Sequence, residues 1–413
     1  MRISRSTIVK QSRLAGFFLC WVWLSACTEV ATDKTSLELQ QAKVAEQNGL
    51  HSIALPLYQK AAVKGEVDAV SAVLRLTRSD VSIVAQAQWL DSLPLSAQQR
   101  QPFLAQLGLW QQLQPAAAAH YQQPWQRLFA ANSNSDASSA SPRHPASADA
   151  QCALKLQPVL STEQSATQWL HLLQQWQQDP QLSSLAICLN APVFVDAAEL
   201  ACSDQQGERI ACDSKVLRQA LLQMSATQVL VLAGKGGASY NNGWLQLPEN
   251  ASFPLFRHEL SHLFGFVDEY PLAATIAASE CQPGRITPNL LFATSDLPAY
   301  LARWQINASQ VELTAVNSCV HTASQAYRVV REDSHLQHYE LAMPDLYLQL
   351  MHKQLEQPEQ LMPVAYYFAY LSRQEGDWRG WQHWMQLAAS AGYPPALEAL
   401  AEASAKGGRH SAR

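Results

Sequence analysis

The chain has 413 residues, enough for two or three domains, and 48% of them are hydrophobic while only 15% are charged. This composition excludes a largely disordered chain, because it offers ample apolar material for a core. The formal net charge of −5 argues against a nucleic-acid-binding protein, which needs a basic face.

Residues 1–26 have the features of a bacterial export signal. Four basic residues and no acids precede an apolar run over residues 14–24, which is too short to span a bilayer. The run ends in LSAC, which resembles a lipobox, and this resemblance implies cleavage before Cys27 and acylation of its thiol. We therefore predict a cell-envelope lipoprotein, sorted to the outer membrane and attached to it by the lipid anchor only. The alternative is an ordinary secretory signal or short anchor helix, in which Cys27 is incidental.

Six of the eight cysteines lie beyond the signal and the lipobox, all within residues 152–319. An even number in an oxidising compartment predicts up to three disulfide bonds. Six cysteines allow 15 pairings, and proximity along the chain favours Cys152–Cys188, Cys202–Cys212 and Cys281–Cys319. A zinc site built from these cysteines is a weaker alternative, since the sequence has no CxxC pair.

Residues 37 to about 130 are predicted to be helical, because apolar residues recur every three or four positions. The pattern AAxxGxxxA occurs at residues 61–69 and again at residues 388–396. It resembles SEL-type, tetratricopeptide-like repeats, in which paired alanines allow close helix packing and glycine ends the first helix. This resemblance implies surfaces that bind protein partners. Generic packing of alanine-rich helices is the alternative.

Residues 131–150 lack periodicity and are rich in Ser, Ala, Asn and Pro, so we predict a flexible linker. After it, strands alternate with helices, which favours a mixed layer of helices and strands. The segment TQVLVLAG is typical of a buried strand, and NNGWLQLP alternates like an edge strand beside a substrate cleft. A glycine-rich segment, residues 234–237, separates the two.

The sequence HELSH begins at His258 and is the main candidate for chemistry. On a helix, His258 and His262 lie one turn apart on the same face and can bind one Zn²⁺. Glu259 then reaches the open coordination position, where it can act as a general base toward a zinc-bound water. The alternative is a helix whose histidines only make structural hydrogen bonds. Gly265 stands where the chain must leave the helix, and Asp268 follows ten residues after His258.

The layout HExxHxxGxxD resembles the metzincin clan of zinc peptidases, and the DEY that follows is similar to the IgA-peptidase family. The resemblance implies Asp268 as the third ligand, in a position where most metzincins have histidine. Further candidates for that ligand remain open. They are the adjacent Glu269, Glu280 at a spacing close to that of thermolysin-like enzymes, and His321, His335 and His338.

Met343 precedes Pro344 in a predicted turn, and metzincins carry a methionine turn beneath the metal. The resemblance therefore makes Met343 a candidate for that turn. Tyr339 is a weaker candidate for a residue near the metal. An ordinary aromatic packing residue is the alternative interpretation of this tyrosine.

These observations predict a multidomain chain with an α+β zincin-like catalytic domain, which has a mixed sheet and an active-site helix, flanked by all-α repeat segments. The predicted boundaries are 1–26 for the signal, 27–130 for the first repeat domain, 131–150 for the linker, 151–345 for the catalytic domain and 346–413 for the last repeat segment. The predicted function is a zinc-dependent endopeptidase that contains one Zn²⁺ per chain and cleaves protein or peptide substrates. The alternatives are a scaffold lipoprotein, whose zincin domain is catalytically silent, and a metal-dependent amidase acting on cell-wall peptides.

Overall fold

The computed structural model describes residues 36–121 and 152–410, apart from residues 79, 204–206 and 224. The predicted signal, the lipid attachment at Cys27 and the linker 131–150 lie outside the described residues. The prediction of a mixed chain of helices and strands is confirmed.

Helices form the first part of the described chain. They are α1 Leu37–Gln47, α2 His51–Val63, α3 Val67–Leu76, α4 Ile83–Asp91 and α5 Ala97–Gln106. Ser36 caps α1 by accepting from the N–H of Leu39 at 3.3 Å, and its own N–H donates to Glu66 at 3.0 Å. These two bonds hold the start of α1 in place against the residue that precedes α3.

The AAxxGxxxA segments adopt the arrangement that the pattern predicts. Ala61, Ala62 and Ala69 are fully buried between α2 and α3, and Gly65 between the two helices has φ +86°. A side chain is disfavoured at this φ, so glycine suits the end of α2. The second copy has the same geometry, since Gly392 has φ +81°.

A six-stranded sheet forms the centre of the molecule. Its strands are β1 Leu154–Leu160, β2 Ile187–Leu189, β3 Val193–Phe194, β4 Gln228–Leu232, β5 Ser239–Asn241 and β6 Trp244–Leu247. Their order is β2-β1-β4-β6-β5, and β3 also pairs with β1. All pairs are parallel except β5 with β6, which is antiparallel.

The prediction of the edge strand is wrong. Residues 244–247 form β6, which is buried along its whole length and pairs with β4 on one side and β5 on the other. The strand at this edge of the sheet is β5, which is only three residues long, and β2 forms the other edge. Alternation of apolar and polar residues does not identify an edge strand here. The polar residue of the pattern, Gln246 of β6, is itself buried and donates to Ser239 of β5 at 3.0 Å.

Helices cover both faces of the sheet. Between the strands and after them lie α6 Glu163–Gln178, α7 Ala197–Leu200, α8 Ser214–Ala220 and α9 Phe253–His262. On one face, Leu230 and Leu232 of β4 pack in the same core as α6 and α9, whereas Val229 and Val231 face a second core. This double burial explains the continuous apolar run of β4.

The remaining elements follow α9. They are α10 Ala274–Glu280, β7 Leu290–Leu291, α11 Leu297–Trp304, β8 Thr314–Val316, β9 Ala326–Arg328, α12 Asp345–Leu355, α13 Val364–Gln374, α14 Trp378–Ser390 and α15 Pro394–His410. Strands β7, β9 and β8 form a small antiparallel sheet, and helices α13–α15 pack on the second face of the main sheet. In the part of the chain that the structure describes, no helix has the length and hydrophobicity that a membrane crossing needs.

Three disulfide bonds join the six predicted cysteines: Cys152–Cys188, Cys202–Cys212 and Cys281–Cys319. The prediction of disulfide bonds is confirmed, and the pairing is the one that chain proximity favours. Cys152–Cys188 joins the segment just before β1 to strand β2, Cys202–Cys212 closes a short loop, and Cys281–Cys319 joins the end of α10 to the segment after β8.

The amino-terminal helices dock on the end of the main sheet through polar contacts. Arg78 donates to both carboxylate oxygens of Glu249, at 2.7 and 2.6 Å, and Thr162 donates to the same carboxylate at 2.8 Å. Beside them, the indole N–H of Trp110 donates to the carbonyl of Ser161 at 2.9 Å. Such a paired and largely buried carboxylate fixes the relative position of the two parts.

Gly108 permits the close approach of the chain at this contact. A Cβ at Gly108 would lie 1.9 Å from the carbonyl oxygen of Ser161, and the residue has φ +73°. We expect Gly108→Ala to lower the free energy of unfolding by about 3 kcal/mol, from backbone strain and overpacking together. Gly49→Ala is the matched control, since Gly49 has the same φ but no atom within 4 Å, and it should cost about 1 kcal/mol. Chemical denaturation measures both, and equal losses would contradict the steric argument.

Candidate metal centre

Helix α9 carries the HELSH motif and begins at a well-formed cap. Ser252 accepts from the N–H of Leu255 at 3.3 Å, and Pro254 lies in the first turn, where its missing N–H costs nothing. Phe256 is buried among the aromatic rings of α6. This anchored face turns the two histidines of the motif together toward the neighbouring loop.

Backbone carbonyls orient both imidazoles. Nδ1 of His258 lies 2.7 Å from the carbonyl oxygen of His335, and Nδ1 of His262 lies 2.9 Å from that of Phe266. A carbonyl only accepts, so each Nδ1 carries the hydrogen. In the neutral imidazole this leaves Nε2 with a free lone pair, which is the usual arrangement of a metal-ligating histidine.

Asp268 completes a group of three donors. Its Oδ1 lies 3.1 Å from Nε2 of His258 and 3.4 Å from Nε2 of His262. Donor atoms of the three side chains all lie within 4.8 Å of one another, and no other such group occurs among the described residues. Bonds of about 2.0–2.2 Å to a tetrahedral zinc separate its ligand atoms by roughly 3.3–3.5 Å, so the spacing suits that ion.

A buried oxygen gives an independent test of this fit. Oδ1 of Asp268 is buried and has no hydrogen-bond partner of acceptable geometry within the described part of the chain. A buried carboxylate oxygen without a partner is costly. A cation bound between Oδ1 and the two Nε2 atoms would satisfy it, so the three residues fit a zinc ion.

The two histidines keep the Asp268 carboxylate charged, and a metal ion would displace the proton that this carboxylate stabilises on His262. Burial alone lowers the pKa of His262, but the Asp268 carboxylate outweighs it and raises that pKa to about 9. Burial raises the pKa of Asp268, yet His262 and His258 hold that pKa well below its ordinary range. Asp268 therefore stays charged, as a metal ligand must.

Glu259 lies next to this group and faces the cleft. It is only 7% exposed, and burial raises the pKa of its carboxyl above the ordinary value. A carboxylate whose pKa is raised toward neutrality is a better proton acceptor, which suits a general base.

Two tyrosines flank the histidines. The ring of Tyr270 stacks on His258, with centroids 6.3 Å apart and planes at 13°. Tyr240 of the edge strand β5 stacks on His262 at 6.0 Å and 27°. Burial, with the Asp268 carboxylate, raises the pKa of Tyr270, so its hydroxyl stays protonated at neutral pH. Both rings restrict rotation of the imidazoles.

Glu269, a second candidate for the third ligand, is fully buried and occupied elsewhere. Its carboxylate accepts from Tyr347 at 2.6 Å, Ser334 at 2.9 Å and Asn289 at 3.1 Å. These bonds tie the loop that carries Glu269 and its neighbour Asp268 to the segment just before His335. Glu269 is therefore a positioning residue for Asp268.

The remaining ligand candidates, including His335, also lie outside the group of His258, His262 and Asp268. Glu280 pairs with Arg285 at 2.6 Å, while His321 and His338 are exposed. Tyr339, the weaker candidate for a residue near the metal, is 42% exposed.

Met343 is buried in the same core as α9, directly before Pro344, which caps α12. The carbonyl of Met343 accepts from the side-chain amide of Gln181 at 3.1 Å, so this part of the chain is held against the segment after α6. The role of Met343 as a methionine turn stays a prediction.

His335 supports the site in a second way that the sequence pattern does not reveal. Its carbonyl orients His258, and its Nε2 lies 2.8 Å from the hydroxyl oxygen of Ser261. That hydroxyl already donates to the carbonyl of Arg257, so Nε2 of His335 is the donor. His335 follows Ser261 by 74 residues, and no spacing rule covers such a distance, so only the folded chain could reveal this contact.

A cleft of about 340 Å³ opens beside Glu259 and the donor group. Edge strand β5 contributes to its lining, and so do α10 and the loop between α9 and α10. Arg209 also lines the cleft, although its loop is far from α9 in sequence.

Comparison of the chain with protein-family models gives no match, and comparison with curated proteins gives none either. The function is therefore inferred from the geometry of the site.

Proposed function

We propose that the protein is a zinc-dependent metallopeptidase. The observation that carries this proposal is the convergence of His258, His262 and Asp268 on one point, where Oδ1 of Asp268 is buried and has no hydrogen-bond partner among the described residues. The same three residues complete the HExxHxxGxxD layout, so the motif and the geometry support the same ligands. A zincin-like catalytic domain within a multidomain chain belongs to this proposal.

The chemistry of the proposed reaction divides between metal and protein. A bound zinc ion would lower the pKa of a water ligand to about 7 and polarise the scissile carbonyl. Glu259 accepts the proton of the attacking water and passes it to the amine that leaves, so that one water is consumed for each bond cleaved. His258, held through its Nδ1 bond to His335, keeps its Nε2 directed at the point between the three donors.

The cleft suits an extended peptide. Strand β5 stands at the end of the strand order, and Tyr240 of this strand lines the cleft. A peptide in extended conformation can add to such an edge by main-chain hydrogen bonds. The cleft is open rather than enclosed, which favours a chain that passes through it over a small ligand that is surrounded by it.

We also propose that the chain is a lipoprotein of the cell envelope, anchored through Cys27. The disulfide bonds fit an oxidising compartment, and the lipobox-like segment supplies the anchor. The helical segments at both ends are then candidate binding surfaces for protein partners.

Metal content tests the proposal directly. We expect about one zinc per chain in the purified protein without its signal, and loss of that zinc in His262→Ala and in Asp268→Ala, measured by elemental analysis. Glu280→Ala is the matched control, because Glu280 lines the same cleft outside the donor group, and it should keep its zinc. Absence of zinc from the wild-type protein after reconstitution would overturn the proposal and favour the scaffold function.

A further inference from the structure

The cleft contains a cation that the proposed reaction does not use. Arg209 lines the cleft together with Glu259 and Asp268, and among the described residues its guanidinium forms no ion pair. The second arginine of the cleft, Arg285, is instead paired with Glu280 at 2.6 Å. A cationic group that these residues leave unpaired is available to a ligand.

Hydrogen bonds hold the backbone on both sides of Arg209. The disulfide Cys202–Cys212 closes its loop. Ile210 donates to the carbonyl of Gly237 at 2.8 Å, and Gly237 donates to that of Glu208 at 2.6 Å. These bonds attach the loop to the chain just before β5, on both sides of Arg209.

The glycine-rich segment at residues 234–237 makes this attachment sterically feasible. A Cβ at Gly236 would lie 2.4 Å from the carbonyl oxygen of Glu208, and one at Gly234 would lie 2.8 Å from that of Ser203. The glycines therefore allow the loop to lie against the strand entry.

The Arg209 side chain is placed where a substrate can reach it. It shares the cleft with Glu259, the proposed base, and it is exposed, so a bound molecule can contact its guanidinium. Arginine presents several N–H donors in a planar fork, which matches a carboxylate in a bidentate arrangement. The chemistry of this position therefore favours an anionic group on the substrate.

We propose that Arg209 selects peptides with an acidic side chain near the cleaved bond, by pairing with that carboxylate. This inference rests on the proposed metallopeptidase function and names its substrate class. Arg209 is a specificity residue and takes no part in the bond cleavage itself. The acidic residue of the peptide lies near the start of β5, where the Arg209 loop is attached.

The test uses short peptides that end in a hydroxamate, a group that binds zinc. The peptides are made in pairs that differ at a single position, where one has glutamate and the other glutamine, and each position is varied in turn. Their affinities are measured by titration calorimetry for the zinc-loaded wild type and for Arg209→Ala. We expect the glutamate peptide to bind about ten-fold more tightly than its glutamine partner at one position, as a charge-assisted pair would give. This preference should vanish in Arg209→Ala and reverse in Arg209→Glu.

Arg331→Ala, which removes an exposed arginine outside the cleft, is the matched control and should keep the preference. Equal affinities for the two peptides at every position in the wild type, with clear binding of both, would overturn the role of Arg209 and leave the zinc site intact. Failure of every hydroxamate to bind zinc-loaded protein would overturn the metallopeptidase proposal and, with it, this inference.

Discussion

Glu259→Gln is expected to lower the rate of peptide hydrolysis by about 10²–10⁴-fold while leaving the zinc content unchanged. The amide has nearly the same shape as the carboxylate but cannot accept the proton of the attacking water. Because Glu259 lies outside the His258, His262 and Asp268 group, its loss should not release the metal. Cleavage of a generic protein substrate such as casein, together with elemental analysis, measures both effects.

The control for this variant is Glu280→Gln, which changes another glutamate of the cleft that is paired with Arg285. We expect its turnover to stay within a few-fold of wild type, since an exposed ion pair contributes little. Full activity in Glu259→Gln would refute the role of Glu259 as the base. Simultaneous loss of activity and zinc would instead indicate a structural role.

Glu269→Ala should produce the largest loss of stability, about 3–5 kcal/mol. The substitution leaves the hydroxyls of Tyr347 and Ser334 without their acceptor in a buried setting, and it removes the negative charge that lies 4.0 Å from Arg328. Burial, the largest cause, raises the pKa of Tyr347 above its usual value, so in the variant its hydroxyl stays protonated and remains a donor with no partner. Urea denaturation measures the change.

Glu269→Gln serves as the graded comparison. It keeps one carbonyl oxygen for Tyr347 but loses the charge, so we expect a smaller loss of about 1–2 kcal/mol. In both variants the loop that carries Asp268 is tied less firmly to the loop that carries His335, so zinc affinity should fall by about 10–100-fold. Unchanged stability in Glu269→Ala would mean that the buried network is dispensable.

The elements that could be predicted from the sequence are those whose signal is local. The helix of His258 and His262, the buried strand β4 and the glycine turns of the repeats each depend on residues within one or two turns of the chain. Asp268 could also be predicted as a ligand, because it follows the helix in a short loop. The motif thus names three donors that the fold brings together.

The contacts between distant segments could not be predicted in this way. Periodicity describes one segment at a time, so it did not show that β6 is internal or that β5 forms the edge. Arg209 and His335 reach the site from loops that lie on either side of α9 in sequence, and hydrogen bonds of the backbone hold both loops in place. For Glu269, the sequence suggested a metal ligand, whereas three buried donors account for its carboxylate without a metal.

With the proposed lipid anchor at Cys27, the fixed start of the folded chain at Ser36 and α1 would limit the working range of the proposed enzyme. Leu37 follows Cys27 by ten residues, and a fully extended chain of that length spans at most about 35 Å. An acylated Cys27 would therefore keep the start of α1 within about 35 Å of the lipid surface. Only proteins that come close to the membrane would then be cleaved. The tether would restrict the substrates by their location, in addition to any selection by the cleft.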